Sequence, residues 1–321
     1  VALEAAAPSG SAERVKATRV VSSHVSVPGR VVEIWRSRQL LRNLVSTEIR
    51  VKYKNSFLGL VWSLLAPAMS LAVYAVVFGV ALRNGIPDFV LLLFSGLLVW
   101  NLFQTSVLTA TGVIVNNAGL VKKVSFPREI LALASVGSAS VFFFFQACVM
   151  VIFLGVLHWR PAFAQLWLLP VALVPLLVFC SAMAIFLAAV NVYLRDTQHL
   201  IEVVVGSAWF WACPIVYSYQ RTVYPKLSAH GILWLYFLNP LTPLVMTFER
   251  VLYARTGQVA LTLPKLLVNG HHVAQSAQLL PGWGVWTYVE GDAIVLGVAL
   301  VLLYGAMVVF GRLAGNFAEE L

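Results

Sequence analysis

Long uncharged apolar runs alternate along this chain with short polar stretches that hold nearly all of its charges. About 20 apolar residues in a helix, rising 1.5 Å each, cross a hydrocarbon layer. The runs at 61–82, 89–111, 130–157, 166–192, 203–217 and 293–311 accordingly predict six membrane-spanning helices. Another apolar stretch, 231–248, is interrupted by Asn239-Pro240-Leu241-Thr242-Pro243. Backbone breaks at membrane depth are tolerated only against protein or water, so this stretch reads as re-entrant.

Ahead of the first run, Val31, Ile34, Trp35, Leu41, Val45 and Ile49 recur at helical spacing. That periodicity predicts an amphipathic helix in the membrane interface, with Arg38 and Arg42 snorkelling to the headgroups. The predicted fold is thus an all-α polytopic membrane protein with six transmembrane helices, an N-terminal amphipathic interfacial helix, and re-entrant outer helices between the fifth and sixth spans. Its parts are a disordered cytoplasmic tail (1–28), the amphipathic helix (29–57) and a transmembrane domain (58–321). The last contains a cytoplasmic loop at 112–129 and an outer segment at 218–290.

Composition agrees with bilayer as the solvent: 60% of residues are hydrophobic and 11% charged, and mean hydropathy is +0.86, far from an ordinary soluble domain. Charge then reports orientation. Ten Lys or Arg precede the first run, and Lys122, Lys123, Arg128, Arg195 and Arg312 fall on the same side, against Arg83 and Arg160 in the opposite short loops. By the positive-inside rule both termini are cytoplasmic. The opening residues are polar and basic without an early apolar core, so no cleavable signal is expected.

Candidate chemistry lies at the edges of the runs. Arg50, Lys52 and Lys54 abut the first one, where clustered cations hold phosphate or pyrophosphate through charge-assisted hydrogen bonds. Positive-inside bias accounts for the same cluster. In the loop Lys122-Lys123-Val124-Ser125-Phe126-Pro127-Arg128-Glu129, Pro127 disfavours helix at Phe126 and Glu129 suits the first turn of a following helix. A short cytoplasmic helix before a sharp re-entry is therefore predicted. Trp62, Tyr74, Phe78, Trp209, Phe210 and Trp211 sit inside runs, where flat rings serve either as stacking faces for sugars or as lipid-facing packing. Tyr217, Tyr219, Tyr224, Trp234, Tyr236, Trp283, Trp286 and Tyr288 give the outer segment the aromatic types of a membrane boundary.

Other chemistries lack their residues. Cys148, Cys180 and Cys213 lie in apolar runs without metal-ligand spacing and read as packing, and His271-His272 has no i, i+4 companion. No metal, resident cofactor or nucleic-acid partner is expected. The first four runs hold no ionisable group of the kind that ion-coupled carriers use, and no TVGYG filter occurs. No GxxxxGK[ST] motif is present to cradle ATP, so ATP and magnesium, if used, belong to a separate chain.

Four segments carry a resemblance. They are Glu48-Ile49-Arg50-Val51-Lys52-Tyr53-Lys54-Asn55-Ser56-Phe57-Leu58-Gly59-Leu60-Val61-Trp62 running into Pro67; Lys122 to Leu131; Asn191-Val192-Tyr193-Leu194-Arg195-Asp196; and Asn239-Pro240-Leu241-Thr242-Pro243. In this order and spacing, across roughly 41–253, the chain resembles the membrane subunits of ABC exporters for polysaccharides and polyol phosphates, of the O-antigen, capsule and teichoic-acid type. The resemblance implies a permease in the bacterial inner membrane, working as a homodimer with two ABC ATPase subunits and moving a polyprenyl-pyrophosphate-linked glycan outward. It further implies that Leu120, Val121, Lys122, Lys123, Phe126, Pro127, Arg128 and Glu129 couple to the ATPase. Trp62, Tyr74, Phe78, Trp209 and Trp211 become candidates for the substrate path, and Arg50, Lys52 and Lys54 for the lipid pyrophosphate. Two alternatives stay open: an ABC exporter of small hydrophobic drugs, and a membrane-embedded glycosyltransferase or ligase. The latter needs a catalytic carboxylate, for which Glu249, Glu290 and Asp292 are the outer candidates.

Overall fold

Two helices joined end to end open the structure, α1 (Val27–Arg36) and α2 (Arg38–Lys52). Backbone hydrogen bonds from Ser37 to Glu33 and from Leu41 to Ser37 carry the helical ladder across their junction. The computed structural model describes residues 27–52, 54, 56–78, 86–255, 257–260, 266–268, 271–273 and 276–321. The predicted tail therefore falls almost wholly outside the described residues, as does the end of the predicted first span. That span appears as α3 (Trp62–Val76), an apolar helix with Pro67 inside it.

Helix α4 (Phe89–Asn116) is the centre of the molecule. It is apolar on every side, as a helix surrounded by protein must be, and it packs against α6 (Glu129–Val156), α7 (Leu168–Tyr193) and α11 (Leu241–Leu252). Between α4 and α6 lies the predicted short cytoplasmic helix, α5 (Ala118–Lys123), followed by extended backbone at Val124. Glu129 then occupies the first turn of α6, as expected from its charge at a helix N-terminus.

Helix α6 divides into two halves. Its first turns carry Ser135, Gly137, Ser138 and Ser140, whereas 141–157 is a strongly apolar run with Phe144, Val151, Ile152 and Val156 exposed. Apolar surface of this extent belongs to lipid or to another protein. Helix α7 carries the fourth predicted run and lies along α12 (Val285–Leu313) in the largest helix pairing of the fold. Among the described residues, four helices meet the length and apolarity of a membrane span: Phe89–Asn116, Glu129–Val156, Leu168–Tyr193 and the helical stretch Val285–Asn316.

Two boundaries differ from expectation. The fifth run is helical over 197–211, through α8 (Thr197–Val203) and a π-helical stretch (Val204–Trp209), and turns at Ala212. At about 22 Å this helix is shorter than a span, because Pro214 removes a donor and disfavours helix at Cys213. The last predicted span appears as α12, which starts at Val285, well before the predicted 293, and thus takes Glu290 and Asp292 into itself.

The outer segment holds two further short helices, α9 (Tyr224–Ala229) and α10 (Leu233–Tyr236), before α11. It also departs from an all-α fold. Strand β1 (Gln258–Ala260) pairs antiparallel with β4 (Ser276–Gln278), and β2 (Leu266–Val268) pairs with β3 (His271–Val273) between them in sequence. These strands, three residues each, are too short to give a span-length hydropathy signal. The chain ends in α13 (Phe317–Glu320), which folds back so that Phe317 is fully buried.

Candidate functional site

The N-terminal arm, α1 and α2, is held against α6 by three successive contacts. Val45 meets Gly137 so closely that a Cβ there would lie 2.7 Å from Val45 Cγ2. One turn on, Ser138 Oγ donates to Glu48 Oε2 at 2.5 Å and Ser135 Oγ to Glu48 Oε1 at 3.4 Å. Last, Lys52 Nζ sits 3.8 Å from the centroid of the Phe142 ring. Burial pushes the Glu48 carboxyl up, the two serine hydrogen bonds opposing it, and burial pulls the Lys52 ammonium down. The small residues of α6 thus let a polar helix dock where bulkier ones would hold it off. The predicted interfacial helix faces two ways: Ile34 and Leu44 pack on the core, while Val31, Trp35 and Val51 remain exposed.

Lys52 marks a level on α6, the start of its apolar half. Of the three predicted anion-binding cations, Arg50 and Lys54 are exposed near it, and Lys52 is engaged with the ring. All three are exposed, and the Phe142 ring orients Lys52.

The loop at 120–129 separates into exposed and internal residues. Lys122 and Lys123 are exposed, while Leu120, Phe126 and Pro127 are half-buried. Val121 and Glu129 are buried and touch only protein. Glu129 Oε1 receives Arg30 Nη1 at 2.5 Å, and the Arg30 guanidinium lies against Gly311 of α12, 2.9 Å from where a Cβ would stand. Arg128 donates to the carbonyl of Ala314 and covers the Phe317 ring at 5.6 Å. Burial pulls the Arg128 guanidinium down and Glu129 opposes that shift, without discharging a group that stays protonated in proteins.

A second segment, 191–196, converges on the same place. Tyr193 Oη donates to the Leu313 carbonyl at 2.8 Å and its ring faces Phe317 at 6.1 Å. Arg195 Nη2 donates to the Glu320 carbonyl at 3.5 Å. The end of the chain thus ties the 120–129 loop, the Asn191–Asp196 segment and the N-terminal arm together. Sequence reasoning missed this role of 311–321, where Arg312, Glu319 and Glu320 form no motif that announces it.

The aromatic candidates do not act as one set. Trp62 and Trp211 are 40% and 62% exposed. Tyr74 and Phe78 are half-buried, their rings 6.4 Å apart, with Phe78 against Phe89 at 4.9 Å. Trp209 is internal: its ring meets Phe103 edge-on at 5.0 Å and Nε1 donates to Asn239 Oδ1 at 3.0 Å. Trp209 thereby fastens the π-helical stretch to the Asn239-Pro240 break. The outer aromatics mostly form a small core of their own, in which Tyr219 stacks on Tyr236 at 5.7 Å and meets Trp283 at 5.9 Å. Trp234 and Trp286 stay exposed.

A model of the ABC-2 type transporter family matches residues 39–253. The chain belongs to this family. The matched range begins in α2 and ends just after α11, so it takes in the cation cluster, the 120–129 loop, the Asn191–Asp196 segment and the Asn239–Pro243 break. An O-antigen export system permease protein of Myxococcus xanthus is 33% identical over 223 residues, 70% of this chain and 84% of the relative. Two such proteins of Klebsiella pneumoniae are each 26% identical, over 212 and 210 residues. As an ABC-2 membrane subunit the chain is a membrane-embedded component of a transporter. Among the described residues, no group of three His, Cys, Asp or Glu could hold a metal ion.

Proposed function

We propose that this ABC-2 subunit exports a lipid-linked polysaccharide from the cytoplasmic face of a bacterial inner membrane, as a homodimer served by two separate ATPase subunits. The observation that carries this reading is the 33% identity to an O-antigen export permease, spread over most of both chains. In this reading the four long helices, α3 and the shorter 197–211 helix make up six spans, with both termini cytoplasmic. The helices α9 to α11, broken at Asn239-Pro240, then close the outer end as re-entrant elements.

In this reading Lys122 and Lys123 face the ATPase, and Val121, Arg128 and Glu129 position them. Motion of the loop reaches α12 and the N-terminal arm together through Arg30, Ala314 and Phe317. Arg50, Lys52 and Lys54 take the lipid pyrophosphate at the headgroup level. Burial of Glu249 and Asp292, at 2% and 1% exposure, removes two of the three outer carboxylates a glycosyltransferase could bring to substrate, leaving the exposed Glu290. Thr247 Oγ1 occupies Asp292 at 3.1 Å from each carboxylate oxygen.

The test is purification of the chain with its ATPase from native membranes, followed by mass spectrometry of co-purifying lipid. A polyprenyl-linked glycan is expected, with ATP hydrolysis that rises when it is added back. Hydrolysis raised by amphiphilic drugs instead, with no glycolipid retained, would replace this reading with drug export.

A further inference from the structure

A cavity of about 260 Å³ opens between α3, α4 and α6. Its wall carries Ser70, Tyr74, Phe94, Asn101, Thr105 and Gln146, and no lining residue bears a charge. Asn101 Nδ2 donates to Gln146 Oε1 at 3.1 Å across the helix pair. That bond uses one donor and one acceptor, whereas each side-chain amide offers two N–H donors and two oxygen lone pairs. Both amides therefore keep hydrogen-bonding capacity beside the cavity, next to the hydroxyls of Ser70, Tyr74 and Thr105 and the rings of Tyr74 and Phe94.

The depth of this cavity matters. From Phe142, which carries Lys52, to Gln146 is one turn of α6, or about 6 Å toward the outer side. Gln146 thus lies within the apolar half of α6, just beyond the cation cluster. Polar side chains at such a depth turn to the protein interior or to a water-filled passage, since hydrocarbon satisfies none of their hydrogen bonds. A lipid tail has nothing to offer them. A phosphate finds no cation there.

The geometry points to a saccharide subsite: the cavity receives one uncharged, hydroxyl-bearing ring of the passing glycan, with Asn101 and Gln146 as its specificity-determining hydrogen-bond partners. Its volume is below the roughly 300–1,000 Å³ of sites for drug-sized ligands, which suits a single ring and not a chain. Planar amides and hydroxyls match the in-plane hydroxyls of a sugar, and Tyr74 and Phe94 supply apolar faces. The inference rests on the proposed polysaccharide export and adds where the sugar is read.

The experiment uses the full chain with its ATPase in nanodiscs of phosphatidylethanolamine and phosphatidylglycerol. A thiol is introduced by Ser70→Cys with Cys148→Ala, leaving only the buried Cys180 and Cys213 of the native thiols. Its modification by N-ethylmaleimide is timed with octyl glucoside or octyl phosphocholine, each below micelle formation. Octyl glucoside is expected to slow modification about tenfold, equivalent to about 1.4 kcal/mol, and octyl phosphocholine to have no effect. Asn101→Leu and Gln146→Leu should each abolish the protection. So should Ala66→Phe, which fills the cavity and leaves the amide pair untouched should the other variants fail to assemble. Equal protection by both probes, no protection, or protection that survives all three substitutions overturns the subsite. In parallel, wild-type and Asn101→Leu chains are expressed in a strain deleted for the permease. Failure of the wild type to restore surface polysaccharide defeats the export reading, whereas equal export by both chains defeats the subsite alone.

Discussion

Arg30 Nη1 stands 2.5 Å from Glu129 Oε1, with side chains 14% and 4% exposed, and this pair joins α1 to the first turn of α6. Removing one member of a pair this enclosed strands the other charge, at a cost of about 3–5 kcal/mol. Replacing both by apolar groups of similar volume costs far less. Arg30→Met is therefore expected to lower the thermal midpoint of the detergent-purified chain more than Arg30→Met with Glu129→Met. A double variant that loses as much as the two single variants combined would show that the charges do not interact.

Gly137 is a packing requirement. A side chain there would strike Val45 Cγ2, which sits on a short branched residue with little room to turn. Gly137→Val should cost about 1–3 kcal/mol and lift α2 from α6, exposing the amides of α2 to hydrogen exchange. Val45→Ala should recover part of the loss, and no recovery would mean that the clash lies elsewhere.

Glu48 gives the docking of α2 a pH dependence. Its carboxyl is raised by burial against α6, despite hydrogen bonds from Ser138 and Ser135. The folded state therefore holds the proton more tightly than the unfolded chain does. Its contribution is fully present at pH below the unfolded value and is lost as pH rises through the folded one. Thermal midpoints should fall from the acid side toward neutral pH in the wild type, and the slope should flatten in Glu48→Gln. An unchanged slope in Glu48→Gln would assign the dependence to another group.

These contacts mark where the sequence was legible and where it was not. Hydropathy located α4, α6 and α7 to within a few residues because an uncharged run long enough to cross a bilayer has few other structures open to it. Pro127 and Glu129 placed the start of α6 through local backbone chemistry. Nothing local says that Glu48 meets Ser138, or that Arg128 meets Ala314, since these partners are 90 and 186 residues apart. The contacts of Trp209 with Phe103 and Asn239 were hidden for a related reason: an aromatic facing a passage and one facing Phe103 have the same hydropathy. Asn101 and Gln146 were visible as uncharged polar residues inside runs, a signal that a search for ionisable groups passes over.

The end of the chain supplies the sharpest separation of stability from function. Arg128 holds the Ala314 carbonyl and the Phe317 ring at once, while Tyr193 holds the Leu313 carbonyl beside them. Arg128→Lys keeps the charge but loses the planar group that spans both contacts, so the loop and α12 should move independently. Arg128→Lys and Phe317→Leu are each expected to retain the ATPase in a pull-down and to keep ATP hydrolysis within about twofold. Export of polysaccharide should fall about tenfold, a difference of about 1.4 kcal/mol. Hydrolysis and export falling in parallel would indicate loss of assembly, and unchanged export would remove the chain end from the coupling route.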